Sequence, residues 1–400
     1  MKILVYEHTV GGGFAGEELP ASILPEGYGM LRSLVSDLSR AGYRTVTLID
    51  ARCRSASSLL QADQIISISS KEQLTRTFSK TLESVDAACV IAPESDETLE
   101  TFVRKTKEKG ILSLNCSPDS IHTSSDKAVA FRLLKNAGLH VPETRIIDLR
   151  EDHESVREHI GVGTPFILKP QRGVNCSGLS VVTNENEAKT ALTKIKRTSN
   201  DHFAMAQEII QGTAASVNVI CTSEGAIPLT LNQQFVRLSP PNLESAYLGG
   251  LVPLQHDLQE KALEAAVRTI ETFPGLSGYV GVDMVLTEEE PFIIDINPRL
   301  TTSYVGARRV LKLNLGHAIV QGASNGELPR HVRASGYAVF YKAPAAWFLA
   351  GGFRKESLQL DVVSPSLQSD KDCRFLVLGY TKTIVMARKA YGLLAEAERN

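Results

Sequence analysis

No stretch of this chain approaches the roughly eighteen consecutive apolar residues that a membrane-spanning helix needs, so nothing in it is expected to cross a bilayer. The opening run Met1–Tyr6 is too short for a secretory signal and is followed at once by Glu7 and His8. Paired cysteines are also lacking. The six that occur (Cys53, Cys89, Cys116, Cys176, Cys221 and Cys373) form no C-x-x-C, which argues against structural zinc and for reduced thiols in a cytoplasmic protein. Charge of one sign is absent: 43 basic residues are interspersed with 45 acidic ones. No basic stripe offers itself to nucleic acid and no polybasic run to a membrane surface. There is no internal repeat, no low-complexity tract, and no serine in the strand-turn-helix elbow of a nucleophilic hydrolase. Small polar or charged substrates are the remaining expectation.

At 400 residues the chain exceeds one ordinary core, and two or three domains are expected. Over residues 1–117, apolar runs near Ile3, Thr45–Ile49, Gln64–Ile68, Ala87–Ile91 and Ile111–Leu114 alternate with helical patterns, as in a parallel sheet with crossover helices. Gly11, Gly13 and Gly16 match the bare spacing of a dinucleotide loop. The helix that should start there is instead expected only at Met30–Arg40, after Pro20, Pro25, Gly27 and Gly29, so a mobile substrate-side loop is the better reading. Residues 118–330 group their strands in pairs and read as antiparallel α+β, with subdomains of about 118–205 and 206–330. Residues 331–400 read as an α+β extension packed on that core, with strands at Gly336–Tyr341, Phe375–Leu378 and Thr383–Met386 before a last helix.

The chemistry concentrates in two segments that pattern as strands. Gly278–Val285 carries one acid, Asp283, and Pro291–Pro298 alternates apolar and oxygen-bearing residues so that Asp295 and Asn297 share a face. The polar link Thr287–Pro291 suits a hairpin that brings Asp283 beside Asp295. Three hard oxygen donors suit magnesium, which keeps room for phosphate oxygens and water. Lys169 ends an apolar strand before the small polar turn Gly173–Gly178, an arrangement fit for holding phosphates; a hairpin with a solvated lysine is the competing account. His8 and His317 have no partner at catalytic spacing and read as structural.

In order, the Asp126-Lys127 helix start, Phe166–Pro170 with its glycine loop to Gly178, Gln207–Gly212, and the Asp283/Asp295-x-Asn297-Pro-Arg299 finale resemble the ATP-grasp superfamily over about 118–325. The resemblance implies an ATP-grasp fold behind an N-terminal parallel-sheet, pre-ATP-grasp domain. It implies that Lys127 and Lys169 contact ATP phosphates under a loop including Gly173, Ser177 and Gly178, that Gln207, Glu208, Ile209 and Ile210 border the adenine, and that Asp283, Asp295 and Asn297 hold two magnesium ions, with manganese as a substitute. Two departures stand out: Ala214 where an acid often takes the ribose hydroxyls, and Asp295 where glutamate is commoner.

The start Met1–His8, the runs Leu231–Gln234 and Ala246–Pro253, and Asn297–Gly306 are further similar to the tyramine-glutamate ligase family of methanofuran-type cofactor biosynthesis. That implies an ADP-forming carboxylate-amine ligase working through an acyl phosphate, with small-molecule partners and with a homodimer left open. Arg299 is the candidate cation for the tetrahedral oxyanion, worth roughly 3–4 kcal/mol of barrier. Arg308 or Arg309 is a candidate for a substrate carboxylate, one of the two necessarily pointing elsewhere. Asn232 and Tyr247 are further substrate candidates, Tyr247 either stacking on an aromatic amine or packing a loop. Another ATP-grasp carboxylase or peptide ligase, or a nucleotide-binding regulator without turnover, are the alternative readings.

Overall fold

The computed structural model describes residues 1–150, 165–173, 176–199, 202–345, 360–367 and 374–396. Ile3–Tyr6 is buried on both faces, the pattern of a central strand in a covered parallel sheet. It forms β1 (Lys2–Glu7), flanked by β2 (Arg44–Asp50) and β4 (Ala87–Ile91), with β3 (Gln64–Ile68) and the short β5 (Leu112–Ser113) outside, in the order β3-β2-β1-β4-β5. The strand order reverses between β1 and β4, which opens a crevice at their carboxyl ends.

A four-stranded antiparallel sheet follows, ordered β6-β9-β7-β8, from β6 (Thr144–Asp148), β7 (Phe166–Pro170), β8 (Ser180–Val182) and β9 (Phe203–Glu208). Its own small core packs against the helix Glu185–Thr198. The chain then enters an eight-stranded antiparallel sheet made of β10 (Thr213–Thr222), β11 (Gly225–Arg237), β12 (Ala246–Val252), β13 (Gly278–Leu286), β14 (Pro291–Asn297), β15 (Tyr337–Pro344), β16 (Leu360–Ser364) and β17 (Arg374–Thr381). Gly212 makes the crossing between sheets: its φ is +158° and a Cβ would stand 2.2 Å from the Leu286 carbonyl oxygen.

Two expectations are corrected. The helix expected at Met30 starts at Leu24 and runs to Arg40 (α1), with Pro25 in its first turn, where a missing N–H costs nothing. Helical positions 27 and 29 are glycine because neighbours occupy the space of a side chain: a Cβ at Gly27 would lie 2.7 Å from the Glu7 carboxylate, and one at Gly29 would lie 2.5 Å from Leu376. Gly11–Gly13 are buried in turns, Gly16 is exposed, and no helix starts at any of them. Thr383–Met386 is not a strand but the beginning of the helix Ile384–Glu396, whose Met386 N–H is accepted by the Thr383 hydroxyl at 3.4 Å.

Residues beyond 331 do more than rest on the core. β15 pairs with β12, and β17 and β16 extend the same sheet. Leu376 and Leu378 share a hydrophobic cluster with Ile3, Val5 and α1, and Arg32 of α1 donates to the Val362 and Val363 carbonyls at 2.8 and 2.9 Å. The last strands therefore clamp α1 from the side opposite β1. His8 and His317 each meet a tyrosine hydroxyl at 2.9 Å, Tyr6 and Tyr43 respectively, as structural histidines do.

Candidate nucleotide and metal site

β13 and β14 pair antiparallel across a turn in which the Thr287 N–H is accepted by the Glu290 carbonyl, and Asp283 stands directly opposite Asp295. The register skips Ile294 beside this pair, the kind of bulge that re-aims side chains. Asp283 accepts from Gln234 Nε2 at 2.8 Å and from Asn297 Nδ2 at 3.0 Å. Burial, then the like charge of Asp295, push its carboxyl up to about 7.

Asp126 caps the helix Lys127–Asn136, its Oδ1 accepting from the Ala128 and Val129 N–H groups, and so fixes Lys127 in the first turn. The Lys127 ammonium donates to both oxygens of Asp295 at 2.7 Å. Lys169, next to last in β7, donates to Gln207 Oε1 at 2.9 Å; burial first, then Lys127, lower its ammonium to about 8. The turn after it is tied back by Gln171, which donates to Asp126 Oδ1 at 2.7 Å. Cys176 in that turn adopts a left-handed φ of +63°, and Val174 and Asn175 lie outside the described residues.

These side chains border one cavity of about 550 Å³, within the range of small-molecule sites. Lys127, Lys169, Asp283, Asp295, Asn297 and Arg299 line it, as do Gly173, Ser177, Gln207, Glu208, Ile209, Ile210, Ala214 and Tyr247. Ile209 and Ile210 lie in the link between the two antiparallel sheets, and Glu208 anchors that link by accepting from the Glu143 N–H at 3.0 Å. Gly178 supports the loop from outside the cavity: its φ is +71° and a Cβ there would meet Thr198 at 2.8 Å.

The donor set fits magnesium. Two facing carboxylates and the Asn297 amide oxygen are hard donors, and the crowding that raises the Asp283 carboxyl is relieved by a cation.

Other candidates fall elsewhere. Arg308 is engaged by Asp37 of α1, its Nε and Nη2 donating at 3.0 and 2.5 Å, and Tyr304 donates to the same carboxylate at 2.6 Å. Arg309 faces Asp361 at 3.2 Å at the half-exposed surface. Neither arginine lines the cavity, so a substrate carboxylate must find another cation. Asn232 is buried, donating to Ser216 at 3.4 Å, and also stands behind the cavity wall. Arg308→Met is therefore expected to leave both substrate KM values unchanged. It should lower stability by about 3–5 kcal/mol, because Asp37 stays buried without its cation; equilibrium unfolding beside steady-state kinetics checks both.

Several residues at the site escaped the sequence reading. Arg299 lies 2.9 Å from Glu94, just past β4, and Gln234 holds Asp283. Glu26 of α1 meets Lys342 of β15 at 2.5 Å, both buried. Glu7 ends β1 and Glu94 follows β4, the two strands at the reversal of the parallel sheet, a position that points to ligands once strand order is known.

Comparison with known proteins agrees with this geometry. Residues 43–121 match the pre ATP-grasp 3 domain family and residues 124–303 the ATP-grasp domain family. A tyramine–L-glutamate ligase of Methanocaldococcus fervens is 25% identical over 344 residues, covering 84% of this chain and 99% of the relative. Among solved structures, a putative ATP-grasp superfamily protein from Archaeoglobus fulgidus superposes with a TM-score of 0.65 at 23% identity, covering 95% of this chain and 99% of the other. The biotin carboxylase domain dimer of Hydrogenobacter thermophilus 2-oxoglutarate carboxylase, solved with MgADP, ADP and bicarbonate, reaches 0.74 at 16% identity, covering 99% of this chain and 89% of that one. With a parallel-sheet domain leading into two antiparallel sheets that enclose the lysine and acid cavity, the chain belongs to the ATP-grasp superfamily.

Proposed function

We propose that the protein is an ADP-forming carboxylate-amine ligase, joining a carboxylate such as glutamate to an amine such as tyramine, as in methanofuran-type cofactor assembly. The observation that carries this reading is the pairing of Asp283 with Asp295 in the same cavity as two buried lysines and Arg299. Lys127 and Lys169 bind the ATP phosphates, and the turn with Gly173 and Ser177 covers them. Ile209, Ile210, Met284 and Ile294 give apolar walls for the adenine. Asp283, Asp295 and Asn297 hold two magnesium ions, or manganese in their place; when bound, they neutralise charge on the transferring phosphoryl group. A substrate carboxylate oxygen takes the γ-phosphoryl group, ADP departs, and the amine displaces phosphate from the acyl carbon. Arg299 faces the oxyanion of that second step.

On this reading the partners are small molecules and the enzyme works in the cytoplasm. The test is ADP and phosphate release from ATP and magnesium with L-glutamate, adding tyramine and other amines singly, with product mass. Amine-dependent turnover yielding an amide is the expected result. Bicarbonate-dependent turnover without an amine favours a carboxylase instead, and tight ATP binding with no ADP formed across the panel sinks the ligase reading.

A further inference from the structure

We propose that Glu7 receives the ammonium group of the amine substrate and takes its proton before the C–N bond forms. This rests on the ligase reading and assigns the residue that makes its second substrate reactive.

Of three buried glutamates at this end of the molecule, Glu7 and Glu26 line the cavity and Glu94 stands behind Arg299. Two have cations: Glu94 has Arg299 at 2.9 Å, and Glu26 has Lys342 at 2.5 Å together with the Thr302 hydroxyl at 2.6 Å. Glu7 is only 3% exposed and lines the cavity, yet no Lys, Arg or His among the described residues comes within ion-pair distance of it. Its support is the Val10 N–H, which donates to Oε2 at 2.7 Å, with further hydrogen bonds from Thr9. A buried carboxylate held by N–H and O–H donors alone calls for a cation, and the cavity it faces is where one would arrive.

Position and surroundings define that cation. Glu7 ends β1 and Ile91 ends β4, the two strands between which the sheet order reverses, where ligands of such sheets bind. Gly27 of α1 gives way to the carboxylate: any side chain there would begin 2.7 Å from both of its oxygens. Ile23, Met30, Ile91, Ala92 and Pro93 supply apolar lining around it. A carboxylate at the end of an apolar sleeve selects an ammonium on an apolar body. It rejects a second carboxylate, which would add like charge to Glu7 and Glu26.

The same burial suits Glu7 to proton transfer. Desolvation raises its carboxyl to about 7, against the smaller opposing effects of the Val10 and Thr9 hydrogen bonds and the Arg299 charge, so it can accept a proton near neutral pH. The ammonium gives one proton to Glu7, and the freed nitrogen lone pair attacks the acyl-phosphate carbonyl carbon. The tetrahedral adduct loses its second N–H proton to the departing phosphate as the C–OP bond breaks. Amide and inorganic phosphate result, and Glu7 returns its proton to water.

Hydroxylamine, a neutral nucleophile at pH 7.5, traps acyl phosphates without needing this base. With ATP, magnesium and L-glutamate, Glu7→Gln is expected to form hydroxamate within about threefold of wild type, while kcat/KM for tyramine falls at least 100-fold, and Glu7→Asp recovers part of the loss. Glu7→Gln that joins tyramine within threefold of wild type overturns the assignment. So does a variant that melts normally but loses hydroxamate and amide alike. A measurement on the unaltered enzyme stands beside these: N,N-dimethyltyramine, an ammonium that yields no stable amide, should compete with tyramine at least tenfold better than the corresponding neutral alcohol, and equal competition overturns the proposal. Wild type that forms neither hydroxamate nor ADP refutes the ligase reading itself, an outcome distinct from failure of the Glu7 assignment.

Discussion

Asp295→Ala is expected to lower kcat by about 10²–10³-fold or more, the scale of removing one preorganised group that stabilises transition-state charge, while the protein still folds. Asp295 faces Asp283 across the hairpin and is held on both oxygens by Lys127, so its loss acts twice. The proposed metal site loses a carboxylate, and Lys127, whose side chain is 9% exposed, is left without its counter-ion. Because the Asp295 side chain keeps 22% exposure, the stability cost belongs at the low end of the ~3–5 kcal/mol range for breaking a buried pair. Combining Asp295→Ala with Lys127→Met should restore stability without restoring turnover, and that non-additivity separates the two roles. Unfolding curves and ADP release for the single and double variants decide it. Near-wild-type turnover in Asp295→Ala would remove the metal assignment.

The hairpin that carries Asp283, Asp295 and Asn297 was legible because its information is local. Period-two alternation puts Asp295 and Asn297 on one face, and a polar link ending in Pro291 forces the antiparallel return that sets Asp283 opposite Asp295. Lys127 was legible for a similar reason, since Asp126 caps the helix that carries it. The glycines of α1 were not. Gly27 and Gly29 lower helix propensity, and the approach of Glu7 and Leu376 explains why glycine stands there within a helix. Those neighbours are 20 or more residues away in sequence, beyond any local pattern. The pairing of Arg308 with Asp37 failed to show for the same reason: one partner comes from α1 of the first domain and the other from the helix Tyr304–Val310. Lys342 lies in the last stretch of the chain, which offered strand patterns without a task. Its task appears only when β15 is seen in the large sheet, its ammonium on Glu26 at the cavity's edge.

Arg299→Ala is expected to show two separable defects. The first is structural: Glu94, 8% exposed, loses the guanidinium 2.9 Å away, and a buried carboxylate without its cation costs about 3–5 kcal/mol. The second is chemical: Arg299 lines the cavity two residues beyond Asn297, and its loss should slow the amide-forming step about 10²–10³-fold while leaving ATP bound. Measured alone, the alanine variant confuses the two. The double variant Glu94→Gln/Arg299→Met keeps both volumes and leaves no buried charge, so it should recover most of the stability, since replacing a whole buried pair is far cheaper than breaking it. If Arg299 acts on the oxyanion, that variant binds ATP normally and still forms ADP in a single turnover, yet stays slow in single-turnover amide formation. If it recovers the wild-type amide rate, the guanidinium serves only to neutralise Glu94, and the oxyanion must be stabilised by another donor in the cavity.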